Sequence, residues 1–457
     1  MEELTKTSNQ PHVLVFPYPI QGHINPMLQF SKRLASKNLN VTLVTTFTLA
    51  KSIPPQSQSG SIQIQPIYDG VKEGDSSTHH EAYLKTFERV IPQSLTNLID
   101  EYNNTNKPVT FVVYDCVIPW VLDLTRKMGI DGAPFFTQSA AVHFIHYHVY
   151  KGDLSSPIKG DLVSVPKLPL LRAHEMPSLL VNSEKYPGFN ALNIHQSSGF
   201  DKANILFFNT FDKLEEQVLK WMSKNWPIKT IGPTIPSMYL DKRLEDDIDY
   251  GLTMFQPETN ACIHWLDSNE PDSVIYISMG SIASLGPHQM EHIANGLRQC
   301  GKKFLWVIRA SEESKLPMNY KAEVEGQGLI VNWCPQLAVL AHRAIGCFMT
   351  HCGWNSTLEA ISLGVPLVAM PQWTDQPTNA KHIVDVWKVG VRVKVDEMGI
   401  VTKDEVESCV RKVMEGETGI EFRNNVERLR NVAKDAMDEG GSSDKNIEEF
   451  ASKLMTM

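Results

Sequence analysis

Two residues in the N-terminal half, His23 and Asp115, have the types and positions that general-base chemistry requires. His23 lies in the segment Gln21–Pro26, soon after an apolar run that begins at His12. This places it at or near a helix N-terminus, where the helix dipole disfavours an imidazolium and leaves a neutral ring able to accept a proton. Asp115 ends a different strand of the same predicted sheet, and a carboxylate bonded to one ring nitrogen would fix the tautomer and stabilise the charged ring. Each residue alone is also typical of a turn histidine or a helix-capping aspartate, and both interpretations stay open.

The segment Thr350–Thr357 has the features of an anion site. It reads THCGWNST and stands between a strand-like run and a helical pattern. Gly353 permits a close approach of the backbone, and we expect Asn355 or Ser356 to cap the helix. Free amides at a helix N-terminus suit a phosphate, to which His351 can also donate.

Two neighbours of this segment suit the rest of a nucleotide. Glu359 lies one helical turn further along, within reach of a ribose diol, and Trp333 could stack on a flat base. A capped helix with core tryptophans is the structural alternative. The segment contains neither G-x-G-x-x-G nor G-K-[ST], which argues against dinucleotide-binding and P-loop proteins.

Short apolar runs alternate with helical patterns along both halves of the chain. An apolar helical face at Leu28, Phe30 and Leu34 separates the first two runs, as in a βαβ unit. We therefore predict two doubly wound α/β domains, with ligands bound beyond the carboxyl ends of their parallel strands. The predicted strands are 12–17, 40–46, 109–114, 135–137, 273–278, 304–308, 329–332, 347–350 and 366–370.

Composition excludes several classes of protein. The chain has 457 residues, a formal net charge of −9, 42% hydrophobic and 21% charged residues. This length predicts two domains with sizeable cores. The chain has no dense stripe of lysine and arginine, so nucleic acid and anionic membranes are not expected as partners. The polar start lacks a signal-peptide core, and no apolar run reaches membrane-spanning length. We expect a cytoplasmic protein without stable membrane insertion.

The seven cysteines are spread along the chain, and none forms C-x-x-C. Their odd number predicts free thiols in a reducing compartment. Cys347, Cys352 and His351 lie close in sequence, but no fourth ligand is near, so a zinc site is not expected.

The stretch from Trp333 to Gln376 resembles the signature box of plant UDP-dependent glycosyltransferases of the secondary-product class. It runs WCPQLAVLAHRAIGCFMTHCGWNSTLEAISLGVPLVAMPQWTDQ. The likeness extends to HVLVFPYPIQGHINPMLQFSKRL near the start, to Asp115-Cys116, to FFTQS at 135–139 and to EGGSS at 439–443. Within this class the chain is most similar to the subfamily of salicylate, indole-carboxylate, steviol, triterpenoid and steroid glucosyltransferases.

The resemblance implies the GT-B fold, in which two Rossmann-like domains face each other across a cleft. It predicts an acceptor domain at 1–240, a linker at 241–260 and a UDP-sugar domain at 261–435. The C-terminal helix, 436–457, is expected to pack back on the first domain, which would explain the apolar face of Ile447, Phe450, Ala451 and Leu454.

The resemblance also assigns roles to individual positions. His23 matches the catalytic base and Asp115 its orienting partner. The UDP-glucose contacts are matched by Ser281, Trp333, Cys334, Gln336, His351, Trp354, Asn355, Ser356, Glu359, Asp375 and Gln376. Thr137 matches a position near the sugar or phosphate. The acceptor-pocket candidates, which are equally consistent with core or rim residues, are Tyr18, Ile20, Trp120, Phe136, Met279, Ile282 and Trp373.

The implied reaction is transfer of glucose, with inversion, from UDP-glucose to a hydroxyl or carboxyl of a small apolar metabolite. A closing Gln376, rather than histidine, is associated with glucose in this family. We expect no metal, no cofactor and a monomer. The alternatives are glucose-ester formation on aromatic acids, a non-catalytic UDP-sugar binder, a UDP-glucose hydrolase, and a GT-B phosphorylase or epimerase.

Overall fold

The computed structural model describes residues 10–51, 62–71, 80–252 and 257–456. In these ranges two parallel sheets lie between layers of helices, as the alternating sequence pattern predicted. The strands are β1 His12–Phe16, β2 Asn40–Thr46, β3 Gln63–Ile67, β4 Val109–Asp115, β5 Asp131–Phe136, β6 Leu162–Val163, β7 Leu171–Arg172, β8 Leu206–Phe208, β9 Ile228–Thr230, β10 Val274–Ser278, β11 Lys303–Val307, β12 Gly328–Val331, β13 Ile345–Thr350, β14 Leu367–Ala369 and β15 Gly390–Arg392.

Helices fill the connections between these strands. They are α1 Gln21–Ala35, α2 Phe47–Ala50, α3 His80–Asn103, α4 Trp120–Lys127, α5 Ala140–Tyr150, α6 Ser178–Val181, α7 Pro187–His195, α8 Gly199–Lys202, α9 Glu216–Met222, α10 Thr259–Asp267, α11 Pro287–Cys300, α12 Tyr320–Glu323, α13 Gln336–Leu340, α14 Trp354–Leu363, α15 Gln376–Lys381, α16 Lys403–Met414, α17 Gly416–Met437 and α18 Ser442–Met455.

The two sheets share one topology around a central switch point. The first has the order β3-β2-β1-β4-β5-β8-β9 and the second β12-β11-β10-β13-β14-β15. All pairs within both sheets are parallel. The strand order reverses between β1 and β4 and again between β10 and β13, and ligands of such sheets bind at these crevices.

Apolar side chains cover both faces of each sheet. Strands β1 and β10 are buried along their whole length, as expected for a parallel sheet between two helical layers. Each sheet has one hydrophobic cluster on either face. Strand ends are therefore held rigidly, and the loops after them carry the polar side chains.

The last helix, α18, packs on the first sheet although it follows the second in the chain. Phe450 lies edge-on to Phe111 and Phe207, with ring centroids 5.1 and 4.9 Å away. Ser443 Oγ donates to the carbonyl of Gly232 at 2.6 Å. The helix is shorter than the predicted 436–457, because a turn at Gly440–Gly441 separates it from α17.

The predicted linker contains neither helix nor strand between 240 and 252, yet ion pairs hold it against α1. Arg33 forms two hydrogen bonds with Asp241, at 2.5 and 2.7 Å, and Lys32 pairs with Asp247 at 2.7 Å. Although burial opposes ionisation, the Arg33 guanidinium holds the pKa of Asp241 well below its usual range. Charged residues in this segment therefore serve as anchors.

Helix α1 begins earlier than the sequence indicated. The prediction placed Pro26 in the first helical turn, but the helix starts at Gln21 and Pro26 lies inside it. Proline has no N–H for the carbonyl four residues earlier, here that of Gly22. Asn355 Nδ2 from the second domain donates to this carbonyl instead, at 2.8 Å. The proline thus leaves an acceptor free for a contact between domains.

Candidate active site

The switch point of the first sheet brings His23 and Asp115 together. Asp115 is the last residue of β4, and His23 is in the first turn of α1, which follows the neighbouring strand β1. His23 Nδ1 lies 2.6 Å from Asp115 Oδ2, and the aspartate is fully buried. The fold therefore joins two residues that are 92 positions apart in the sequence by a hydrogen bond.

Backbone amides fix the carboxylate of Asp115. The N–H of Tyr18 donates to Oδ2 at 3.1 Å and that of Val117 to Oδ1 at 3.2 Å. Because the carboxylate oxygen of Asp115 can only accept, Nδ1 of a neutral His23 carries the proton, and Nε2 is left as the acceptor. Thr137 Oγ1, just after β5, lies 3.4 Å from the same Nδ1.

The surroundings of His23 favour its charged form, whereas its position near a helix N-terminus predicted that the imidazolium would be disfavoured. Burial alone would lower the pKa of the imidazole, but the charge and hydrogen bond of Asp115, with a smaller contribution from Asp375, raise it above the ordinary value. A raised pKa means that an imidazolium formed by proton abstraction is stabilised. The pair is suited to a general base that works with its orienting carboxylate.

Asp375 and Gln376 lie at the start of α15, on the second domain. Thr374 Oγ1 and Asn379 Nδ2 donate to the Asp375 carboxylate at 2.7 and 2.6 Å. Burial raises the pKa of this carboxyl. Gln376 Oε1 accepts from the backbone N–H of Gln372 at 2.9 Å, so its amide is held in one orientation.

Helix α14 presents its N-terminus at the switch point of the second sheet. His351 follows β13, and its ring packs so closely on Gly280 and Gly353 that a Cβ would lie 2.6 or 2.5 Å from Nε2. Burial lowers the pKa of His351 to about 4, so the ring is neutral and can donate one hydrogen bond. Ser281 lies in the loop after β10, where Arg309 donates to its carbonyl.

The predicted side-chain cap of α14 is wrong. Gly353 is at the N-cap position, without a side-chain cap. Asn355 bonds to Gly22, and Ser356 Oγ instead accepts from Gln336 Nε2 at 3.0 Å. The first-turn amides are therefore free of side-chain caps, which is the arrangement that binds an anion.

A hydrogen-bonded cluster occupies the position predicted for the nucleoside. Gln336 Nε2 donates to Glu359 Oε2 at 2.6 Å, and the hydroxyl of Tyr276 donates to Gln336 Oε1 at 2.9 Å. The Tyr276 hydroxyl also lies 3.2 Å from Cys334 Sγ. Burial raises the pKa of Glu359 to about 7. Trp333 is half-buried immediately before Cys334.

The acceptor-pocket candidates fall into different environments. Phe136 is fully buried and stacks on Phe208 with ring centroids 4.4 Å apart, so it belongs to the core behind β5. Met279 is also buried, in the core of the second domain. Ile282 is 45% exposed. Of the remaining candidates, Tyr18 and Ile20 lie in the loop between β1 and α1, Trp120 begins α4, and Trp373 lies in the loop between β14 and α15.

Trp354, a predicted glucose contact, points into the domain interface. Its Nε1 donates to the carbonyl of Asn209 at 2.7 Å, and the side chain is buried. Another interdomain contact joins Ser178 and Thr374 by two hydrogen bonds, at 2.7 and 2.8 Å. These contacts set the position of the loop before α15 relative to the first domain.

Sequence reasoning missed a group of buried polar residues beside Phe136. His143 Nδ1, His146 Nε2 and Gln138 Oε1 are buried and have no hydrogen-bond partner within the described residues. Gln196 Nε2 lies 3.0 Å from His146 Nδ1. Burial lowers the pKa of His146 to about 3 and that of His143 well below its ordinary value. Two of the three histidines in the apolar helix AAVHFIHYHVY, His143 and His146, were the available signal.

Comparison with known proteins decides the family. A family model for UDP-glucuronosyl and UDP-glucosyl transferases matches residues 236–439, and a glycosyltransferase N-terminal domain model matches residues 9–58. UDP-glycosyltransferase 74E2 of Arabidopsis thaliana is 49% identical over 96% of this chain and 98% of its own. The chain belongs to the UDP-glycosyltransferase family.

Other relatives agree with this assignment. Mogroside I-E synthase of Siraitia grosvenorii is 47% identical to this glycosyltransferase over 97% of the chain and 98% of its own length. The solved structure of Os79 from O. sativa in complex with UDP has a TM-score of 0.91 and 40% identity, covering 97% of this chain and 100% of that one. Os79 has also been solved with a trichothecene.

Two predictions are therefore confirmed: the family, which the signature box indicated, and the two-domain GT-B fold. The chain is a UDP-glycosyltransferase of plant secondary metabolism that acts on small molecules. Among the helices in the described ranges, none has the length and apolar character needed to cross a bilayer. Those same ranges contain no cluster of three or more His, Cys, Asp or Glu that could hold a metal ion.

Proposed function

We propose that this enzyme transfers glucose from UDP-glucose to a hydroxyl of a small, largely apolar and uncharged acceptor, with inversion at the anomeric carbon. The observation that carries the proposal is the His23–Asp115 pair at 2.6 Å, together with Asp375 and Gln376 at the start of α15. The charge of Asp375, on the second domain, contributes to the raised pKa of His23, on the first. The two side chains therefore lie close enough to act on the same substrate in the cleft.

The reaction needs one displacement. His23 Nε2 takes the proton of the acceptor hydroxyl while its oxygen attacks the anomeric carbon from the face opposite UDP. The bond between that carbon and the phosphate oxygen breaks, and UDP leaves with the electron pair. Asp115 stabilises the imidazolium formed, and the α14 N-terminus with His351 stabilises the leaving phosphate.

Each part of UDP-glucose would be held by a different set of residues. Trp333 would stack on uracil while Cys334 contacts its edge, and Gln336 and Glu359 would receive the ribose hydroxyls. Ser281, His351, Asn355 and Ser356 would contact the phosphates. Asp375 and Gln376 would bind the glucose hydroxyls, with the backbone at Trp354 and the hydroxyl of Thr137 close to the sugar.

Two features of the acceptor side favour a neutral hydroxyl acceptor over a carboxylate. The four candidates outside the cores and the exposed surface, Tyr18, Ile20, Trp120 and Trp373, and the buried polar group of Gln138, His143 and His146 include no lysine or arginine. The unpaired atoms of Gln138, His143 and His146 are uncharged and would suit a second hydroxyl of the acceptor. Burying a carboxylate without a cation costs more than burying a hydroxyl that is hydrogen-bonded.

The test is mass-spectrometric detection of a hexose adduct on a panel of phenols, triterpenoids, steroids and aromatic acids, with UDP-glucose and UDP-galactose compared. The proposal predicts adducts with UDP-glucose on neutral hydroxyl compounds, unaffected by a chelator. Ester products on aromatic acids alone would favour the alternative, an ester-forming transferase. UDP binding or release without an adduct on any acceptor would favour a binder or hydrolase.

A further inference from the structure

The segment around Tyr250 is fixed to the first domain. Lys32 Nζ donates to Asp247 Oδ1 at 2.7 Å and to the carbonyl of Asp249 at 2.8 Å. Gln29 Nε2 donates to the same carbonyl at 3.2 Å. Three hydrogen bonds from α1 therefore determine where the segment immediately before Tyr250 lies.

From this anchor Tyr250 reaches the second domain. Its hydroxyl donates to Glu359 Oε1 at 2.7 Å, while Gln336 Nε2 donates to Oε2 at 2.6 Å. Glu359 is only 4% exposed. Each carboxylate oxygen has two acceptor sites, so one donor on each leaves one site on each for a pair of neighbouring hydroxyls.

The groups that face Glu359 are uncharged near neutral pH. They are Tyr250 from the linker, Tyr239 just before the linker, Tyr276 from β10 and Cys334 after β12, and burial raises the pKa of all four. Asp247, the charged linker residue that raises the pKa of Tyr250 through its charge, is itself paired with Lys32. In the described part of the chain, the pKa of Glu359 is lowered only by the hydrogen bonds of Gln336 and Tyr250.

We propose that Tyr250 is a positioning residue for the donor, whose hydroxyl orients the Glu359 carboxylate toward the ribose diol of the UDP-sugar. This rests on the proposed function, in which Glu359 contacts the ribose. Because Tyr250 is anchored on α1, donor binding in the second domain depends on where the first domain lies relative to it.

The experiment measures UDP affinity by calorimetry between pH 6 and 9 for the wild type and Tyr250→Phe, with Tyr239→Phe as matched control. Without the hydroxyl, the charged form of Glu359 loses one of its two donors, and its pKa rises further. UDP affinity of Tyr250→Phe should then be about 3- to 10-fold weaker at pH 6.5, and the difference should shrink at pH 9, where the carboxyl is ionised in both proteins. Tyr239→Phe should follow the wild type.

A second arm separates this inference from the proposed function. The wild type should bind UDP more tightly than 2′,3′-dideoxy-UDP, and Glu359→Gln should lose that preference. If it does so while Tyr250→Phe binds UDP like the wild type at every pH, the role of Tyr250 is overturned and the ribose contact stands. Equal weakening by both tyrosine variants at every pH would also overturn it. No preference of the wild type for UDP would refute the ribose contact itself.

Discussion

Replacing Asp115 with asparagine changes the charge of the catalytic pair while keeping its shape. Oδ2 accepts from Tyr18 N–H and His23, and Oδ1 accepts from Val117 N–H. An amide NH₂ at either position would therefore face a backbone donor. The imidazolium formed in the reaction also loses a hydrogen bond to a charged group, which contributes about 1.5–3 kcal/mol. We expect kcat to fall about 10- to 150-fold, since about 1.4 kcal/mol is tenfold.

The assay is kcat against pH from 5 to 9 with a neutral hydroxyl acceptor and saturating UDP-glucose. A base must be neutral to act, so activity rises with pH through the pKa of His23, which Asp115 raises. In Asp115→Asn the acidic limb should move to lower pH, and the KM for UDP-glucose should change little. Asp131→Asn, which removes a half-buried carboxylate paired with Arg126 at the start of β5, is the control. A kcat within about 2-fold of wild type, or a limb that does not move down, would refute the reasoning.

Three further substitutions probe the scaffold around the site. In Gly353→Ala the new Cβ would lie 2.5 Å from His351 Nε2. We expect the ring to move and UDP affinity to fall about 10-fold or more, measured by calorimetry, and unchanged affinity would contradict the assigned phosphate contact. Pro26→Ala supplies an N–H that competes with Asn355 for the carbonyl of Gly22. We expect the KM for UDP-glucose to rise about 2- to 5-fold in steady-state kinetics. An unchanged KM would mean that the contact between Asn355 and Gly22 has no effect on donor binding. Phe450→Ala should lower the free energy of unfolding of the first domain by about 3–5 kcal/mol in denaturant titrations, and a loss below about 1 kcal/mol would show that α18 is not part of that core.

The general plan of the site could be predicted because parallel strands end at one edge. Short apolar runs located β1 and β4, and their polar successors His23 and Asp115 had to lie near each other at the switch point. The same reasoning located His351 after β13. The signature stretch added the identity of the ligand, which strand positions alone could not supply.

Features that depend on contacts between distant segments could not be predicted. The linker has no periodicity, so nothing in it indicated that Tyr250 bonds to Glu359. Asn355 has the usual character of a helix cap, but a free carbonyl in the other domain provides its partner instead. For Phe136, the local pattern could not tell a cleft residue from a core residue, because β5 is buried on both faces.

The central claim is that His23 acts as the base in glucose transfer to a hydroxyl. The most direct test follows product formation by mass spectrometry for the wild type and His23→Ala, with UDP affinity measured on both proteins. We predict a hexose adduct whose rate of formation falls about 10²- to 10⁴-fold in the variant on a hydroxyl acceptor, and less on a carboxylate, which is already ionised, while UDP affinity is retained. An undiminished rate on the hydroxyl acceptor, or an equal loss on both acceptors, would contradict the account.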